Sequence, residues 1–256
     1  MNIALLRVGA DSGNLGFHSP LFEDGSFDFI PINETYNEKS KNANRKIEEN
    51  RTFQNTKVIK NTALIEYFPS EKKVKYKNSI IHFDPEFETF TYGDPSFTKS
   101  GLLKLKKGDF LVLYCSLTPF PPIKNAEAKL YIIGYFEIEK AIAVKDIKDY
   151  KEVLKEYKNN FHVKHYNIFQ RDVTTKKNNG LKLVKGTKKS RILKKAKLLS
   201  DKIEYGKDNM KRFVVSSEMQ KIFGDFKGKI CIQRNSLRFV EKEYVENAYK
   251  WLVALD

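Results

Sequence analysis

Ile3 to Val8 is apolar except for Arg7, the pattern of a short buried strand, and leads into a glycine-rich turn, Gly9-Ala-Asp-Ser-Gly-Asn-Leu-Gly16. After Pro20, the pair Asp24-Gly25 interrupts the apolar segment LFEDGSFDFIPI, which signals a hairpin whose second strand ends at Pro31. Residues 33–56 carry almost no aliphatic side chain and read as a long polar loop or excursion. Alternation resumes over Thr62–Phe68 and Lys73–Phe83 and predicts strands there. Asp84–Pro95, DPEFETFTYGDP, mixes prolines, acids and aromatics and reads as an ordered loop. Lys107-Gly-Asp is a turn before a core strand, Phe110–Leu117. Lys129–Val144 is the longest strand pattern, with Gly134 marking a bulge. From Asp146 the period changes: Tyr150, Val153, Leu154 and Tyr157 recur at helical spacing. Further helices are predicted over Lys188–Leu199, Ser217–Phe223 and Glu241–Ala254, the last with Tyr244, Ala248, Trp251 and Leu252 on one face. Strands before residue 145 and helices after it define an α+β class, with a mainly antiparallel, barrel-like core and C-terminal helices.

Composition narrows the partners. The 256 residues fit one large domain or two small ones. Lys and Arg total 47 against 32 Asp and Glu, a net charge of +15 that draws polyanions. The same excess also fits a lysine-rich protein whose charge is solvated surface. Nucleic acid (DNA foremost) or a nucleotide is the expected partner, with no membrane. The N-terminus has no basic region ahead of a hydrophobic one, and no run approaches the ~18 apolar residues of a membrane span. The expected location is therefore the cytoplasm, or the nucleoid if the protein binds DNA. Cys115 and Cys231 each lie in a strand-like run, the setting of buried reduced thiols.

Charge concentrates between Val173 and Ser200, where no acid occurs. Lys176, Lys177, Lys182, Lys185, Lys188, Lys189, Arg191, Lys194, Lys195 and Lys197 lie there. On the predicted helix, Lys188, Arg191 and Lys195 share one face and Ile192, Ala196 and Leu199 another. Such a helix could dock on a core and offer Lys185, Lys188, Lys189, Arg191, Lys194 and Lys195 to phosphates. The alternative is a solvated face. A second cluster surrounds the glycine turn: Arg7, Asp11, Ser12, Gly13 and His18 could shape a small-ligand or base pocket, or belong to a plain irregular loop. Its glycines, 9, 13 and 16, match neither the dinucleotide fingerprint nor the P-loop. The third cluster is His82-Phe-Asp84-Pro-Glu86. If the strand continues, all three polar side chains point the same way, an arrangement suited to acid–base work or a divalent cation. A surface turn is its plain alternative. His162 and His165 form an H-x-x-H pair, but with four histidines and two isolated cysteines no zinc site is recognisable, and no cofactor motif is found. Phe87, Phe90, Tyr92 and Phe97 line one loop and include candidates for stacking on an unpaired base.

Several segments together resemble a known family. LLRVGADSGNLGFHSPLFEDGSFDFIPI, HFDPEFETFTYGDP, LKKGDFLVLYCSL with YIIGYFEIE, and NFHVKHYN followed by LVKGTKKSRILKKAKLLS are similar, in this order, to the third group of nucleotide-modification-associated domains. The resemblance covers residues 1–200, without the polar excursion at 33–56; residues 201–256 form a helical extension packed on the same domain. It implies an association with modification of DNA bases or nucleotides and leaves the biochemical activity open. GDFLVLYCSL with LYIIGYFEIE also resembles part of the PUA and EVE type of base-reading barrel, a likeness of fold alone. Three functions remain. The first is a binding module for a nucleotide or a flipped, modified base, with Arg7, Ser12, Gly13, His18, Tyr92 and His162 around the ligand. The second is an enzyme acting by hydrolysis or group transfer through Asp11, His82, Asp84 and Glu86. The third is a structural protein with generic charge.

Overall fold

The computed structural model describes residues 1–35, 49–175, 179–205, 211–228, 231–232 and 237–255; for 211, 231 and 232 it describes the backbone alone. Residues 36–48 of the expected polar excursion, Lys176, Lys177 and the Cys231 side chain lie outside the described residues. In chain order the elements are β1 (Ile3–Arg7), β2 (Ser19–Leu21), β3 (Ile32–Asn33), α1 (Ser70–Tyr76), β4 (Ile81–His82), β5 (Thr91–Asp94), β6 (Phe110–Pro119) and β7 (Lys129–Val144). Then come α2 (Tyr150–Tyr157), α3 (Phe161–Lys164), α4 (Tyr166–Thr174), β8 (Leu181–Gly186), β9 (Arg191–Leu198), β10 (Ser200–Tyr205), β11 (Lys211–Val215), α5 (Ser217–Phe223), β12 (Cys231–Ile232), β13 (Arg238–Phe239) and α6 (Lys242–Val253).

One eight-stranded sheet organises the molecule, in the order β13-β1-β6-β7-β8-β5, with β2 also on β6 and β9 also on β7. Pairing is antiparallel except that β1 and β2 run parallel to β6. β1 and β6 alternate strictly. Ile3, Leu5, Val112 and Tyr114 enter one core, and Ala4, Leu6, Leu111 and Leu113 enter the other. β7 cannot alternate throughout, because its apolar run is continuous. A bulge between Ile132 and Gly134 shifts its register against both β6 and β9. Leu130 and Ile132 face the first core before the bulge, and Tyr135 faces it afterwards. Gly134 is required at this point: a Cβ there would lie 2.6 Å from the Arg191 carbonyl oxygen. α5 and α6 cover the first core through Met219, Phe223, Ala248 and Leu252. The second face is covered by Phe27, Phe29, Tyr92, Leu102 and Leu105. α2 and α4 pack Val153, Tyr157, Phe169 and Val173 on the β7–β8 end.

The α+β class and the C-terminal helices stand, but several expected elements differ. No closed barrel forms among the described residues; the sheet remains open, ending at β13 and β5, because both its faces are covered by other layers. The stretch 62–68 is not a strand, and 73–83 is one only at its end, β4. They fold as a 3-10 turn, Leu64–Tyr67, and as α1, with extended backbone at Ile81–His82. Their alternation was misleading because Val74 is exposed while Tyr76 is buried. The expected loop 84–95 contains β5, which pairs Thr91–Asp94 with β8. Residues 188–199 are a turn followed by β9, not a helix. Leucine, lysine and alanine favour helix locally, yet pairing along β7 prevails. Leu193 and Leu199 enter the first core, while Ile192 and Ala196 pack against the second, so this segment needs two apolar faces rather than one stripe. With β8 to β11 present, strands continue well past residue 145, and residues 201–256 carry strands as well as helices.

Candidate functional site

β3 and β4 pair Ile32 with His82, which brings the Glu34 carboxylate against the His82 ring. The Glu34 N–H donates to the Ile80 carbonyl at 2.8 Å and holds this juxtaposition. Two residues after His82, the Asp84 carboxylate accepts from the Gly93 N–H of β5 at 3.0 and 3.2 Å. The opposite wall comes from α3 and α4. Asn160 caps α3 by accepting from the His162 N–H at 3.1 Å, and its Nδ2 donates to Thr91 Oγ1 at 3.3 Å. This anchors α3 to β5. Gly93 lets it approach, since a Cβ there would lie 2.7 Å from His162 Cδ2.

These elements bring two imidazoles and three carboxylates together. His82 Nδ1 lies 3.0 Å from Glu34 Oε2, and His162 Nδ1 lies 2.6 Å from Asp172 Oδ2. The two Nε2 atoms face each other at 3.1 Å, and His162 Nε2 lies 3.5 Å from Asp84 Oδ2. Arg171 braces the group: its Nε donates to Asp172 at 2.7 Å, and its guanidinium is 3.7 Å from Glu34. Phe161 packs on the His82 ring at 4.3 Å between centroids. The Asp84 and His162 side chains are almost fully buried, at 4% and 5% exposure. Burial opposes a charge on His162, but the hydrogen bonds and charges of Asp172 and Asp84 outweigh it and push its pKa up to about 10. Burial likewise works against the Asp172 anion, yet His162 and Arg171 hold its pKa below the ordinary range. For Asp84, burial prevails over its imidazole neighbours and the Gly93 N–H and pushes the pKa up. His82, Asp84 and His162 each offer a ligand-type atom within 4.8 Å of the others.

The cluster forms part of the wall of a cavity of about 510 Å³, lined also by Arg7, Val8, Gly9, Ile32–Thr35, Tyr92–Ser96, Thr98, Lys99 and Arg171. Of the residues singled out from sequence, Arg7, His82, Asp84, Tyr92 and His162 converge here. Others do not line it. The Asp11 carboxylate accepts from the Gly13 N–H at 2.9 Å and lies 3.7 Å from the Arg7 guanidinium, so it orders the turn behind that wall. Ser12 and Gly13 are exposed on that turn, and His18 lines a separate cavity of about 210 Å³ with Phe17, Pro20 and Tyr67. Glu86 is buried and closes the 86–91 turn, accepting from the N–H groups of Glu88 and Thr89. It does not extend the His82–Asp84 face, because the chain turns after Asp84 instead of continuing β4. His165 separates from His162 and pairs with Glu49, 3.2 Å away. Phe87 and Phe90 pack against Phe136 in the core, and Phe97 is exposed, which leaves Tyr92 as the cavity aromatic of that loop.

The cationic residues are divided by their surroundings. Lys188, Lys194, Lys195 and Lys197 are exposed. Lys185 lies 3.5 Å from Glu139, and Lys189 lies 3.7 Å from Glu137. Arg191 donates to the Leu255 carbonyl at 3.2 Å and stacks over Tyr135, so it holds the C-terminus to the sheet. Lys182 is buried and donates to the carbonyls of Pro95 and Gly180 at 2.9 and 3.0 Å, which fixes the Pro95 rim of the cavity. Sequence reasoning missed Glu34, Lys99, Arg171 and Asp172. Glu34 lies at the start of the polar stretch and Asp172 precedes the acid-free one, and neither pattern marks a buried carboxylate.

The fold and site define an α+β protein with one large open sheet and a cavity edged by histidines and carboxylates. The family model "nucleotide modification associated domain 3" matches residues 2–234, and the chain belongs to that family, whose description associates it with nucleotide modification. The match runs beyond residue 200 into the segment held apart on sequence grounds. No curated protein and no solved structure matches the chain. Among the described residues, no helix is long and apolar enough to cross a membrane.

Proposed function

We propose that the cavity binds a nucleotide, or a base extruded from nucleic acid, in a nucleotide-modification process. The observation that carries this reading is the convergence of Arg7, His82, Asp84, Tyr92 and His162 on one cavity. Its volume of about 510 Å³ falls within the ~300–1,000 Å³ range of small-molecule sites. Arg7, Lys99 and Arg171 supply cationic groups for phosphate, the carboxylates and imidazoles supply partners for a base edge, and Tyr92 supplies an aromatic wall. The net charge of +15 favours approach of a polyanion, and Lys188, Lys194 and Lys195 are the exposed residues proposed to meet its backbone.

Calorimetric titration with nucleotides and short DNA and RNA strands, with and without modified bases, tests this. Wild-type protein is expected to bind at least one class at low salt, and His82→Ala with Arg171→Ala to weaken binding at least tenfold. Failure of the folded wild type to bind any of them would overturn the reading. Lys194→Glu with Lys195→Glu is expected to reduce the salt dependence of strand binding; an unchanged slope would remove these lysines from the interface.

The second reading, a catalyst of hydrolysis or group transfer, is favoured by the paired imidazoles beside Asp84 at the cavity wall. Asp11 and Glu86 spend their carboxylates on backbone turns, so the proposed acid–base set narrows to His82, Asp84 and His162. If bound nucleotides return chemically unchanged after prolonged incubation, as read by mass spectrometry, binding without turnover is the answer.

A further inference from the structure

The geometry points to a divalent transition-metal site formed by Nε2 of His82, Nε2 of His162 and a carboxylate oxygen of Asp84. Both Nδ1 atoms lie against carboxylates, His82 on Glu34 at 3.0 Å and His162 on Asp172 at 2.6 Å. A neutral imidazole that donates from Nδ1 carries its lone pair on Nε2. Where His162 holds its proton, its Nε2–H can donate to the His82 Nε2 lone pair 3.1 Å away; a divalent cation would displace that proton and take both lone pairs. Imidazoles held from behind by carboxylates, with their free nitrogens aimed at one point, are the usual arrangement around a protein-bound metal.

The distances agree. Donors about 2.1 Å from a shared ion stand roughly 3.0 Å apart at right angles and roughly 3.4 Å apart in a tetrahedron. Here the Nε2–Nε2 separation is 3.1 Å and the Nε2–Oδ2 separation 3.5 Å. Two nitrogens and one oxygen favour zinc, iron, cobalt or manganese over the all-oxygen shells of calcium and magnesium. Three protein donors fall short of the four to six positions such ions take, so water or a ligand from the cavity would complete the shell. The three donors come from two segments eighty residues apart, which is why no motif spacing announces them.

Zn²⁺ and Co²⁺ added to chelator-treated, nucleotide-free protein test the site independently of nucleotide binding. One equivalent is expected to bind, with visible Co²⁺ absorption, and with ring-nitrogen NMR shifts at His82 and His162 but not at His18 or His165. Asp172→Asn is expected to weaken Zn²⁺ affinity about 10–100-fold by releasing the His162 ring. His82→Ala is expected to abolish binding at the site, with circular dichroism checking the fold. Should that variant fail to fold, the wild-type NMR pattern decides alone. No stoichiometric uptake, or shifts confined to His18 or His165, would overturn the inference, as would full affinity in folded His82→Ala.

Discussion

Gly93→Ala probes the site without removing any group that could bind or react. Its added methyl would lie 2.7 Å from His162 Cδ2 and 2.9 Å from Asn160 Oδ1, against an ordinary contact of 3.4 Å or more. A gap of about 0.7 Å must open. β5 cannot easily supply it, because Gly93 pairs with Leu183 of β8 and its N–H donates to Asp84. The displacement falls on α3, whose cap residue Asn160 meets the same methyl. Overpacking of this kind costs about 1–3 kcal/mol. At roughly 2–4 °C per kcal/mol for a chain of this size, the melting temperature should fall by about 2–12 °C. The His162 ring should also move away from His82 and Asp84, visible as changed histidine NMR shifts. Gly108→Ala is the control. Gly108 has φ +85°, and a methyl added there would meet nothing within 4 Å, so this variant should lose stability through backbone strain while leaving those shifts unchanged. Calorimetry and NMR on both variants decide the matter. A Gly93→Ala protein with wild-type melting and wild-type His162 signals would refute the claim that close β5–α3 packing sets the site.

Other outcomes follow from the same contacts. Burial opposes the Glu49 anion, but His165 and Arg51 outweigh it and hold its pKa well below the usual carboxylate range. Its stabilising contribution is therefore present above about pH 4.5 and lost as pH falls through the lowered value. Urea midpoints between pH 3 and 6 should fall less steeply for Glu49→Gln than for wild type, and an equal slope would show that the pair is not felt. Gly134→Ala would push a methyl against the Arg191 carbonyl; β9 amides should lose protection in hydrogen exchange, and unchanged protection would contradict the bulge assignment. Phe223→Ala removes a fully buried ring beneath Trp251 and should cost about 3–5 kcal/mol in denaturant unfolding, with a cost under about 1 kcal/mol excluding α5 from the core.

Elements whose local pattern agreed with their final surroundings were legible from sequence. β6 and β7 are long β-branched and aromatic runs, and the Asp24-Gly25 turn closes on itself, with Gly25 N–H donating to Phe22; the expected second hairpin strand reduces to one bridge, Leu21 to Phe27, because β2 pairs with β6 instead. α2 and α6 keep one buried stripe. β9 was not legible, because Arg191–Leu198 has helical composition and its strand state depends on an edge supplied by β7 about sixty residues earlier. The site was legible in part. His82 and Asp84 stood out as an imidazole beside a carboxylate, and His162 as half of a pair. Their meeting was hidden, because it depends on β5 binding Asp84 and α3 together. Asp172 and Glu34 could not be found at all, since a buried carboxylate is written in the sequence no differently from a solvated one.

The bulge in β7 gives that strand something like a reading frame. Along one edge it serves two clients in succession, β9 from Tyr131 to Tyr135 and β8 from Ile138 to Val144. The extra residue lets a continuous apolar run serve both cores, with Ile132 and Tyr135 in the first and Ile133 and Phe136 in the second. Deleting Ile133 would leave Ile132 opposite Tyr114 and Tyr135 opposite Val112, a plain ladder with its faces still in phase. What would change is spacing: the Leu198 end of β9 would be drawn one residue closer to β8 along the shared edge. Since β8 carries Lys182 and pairs with β5, that displacement would reach the cavity rim without altering any residue that lines it.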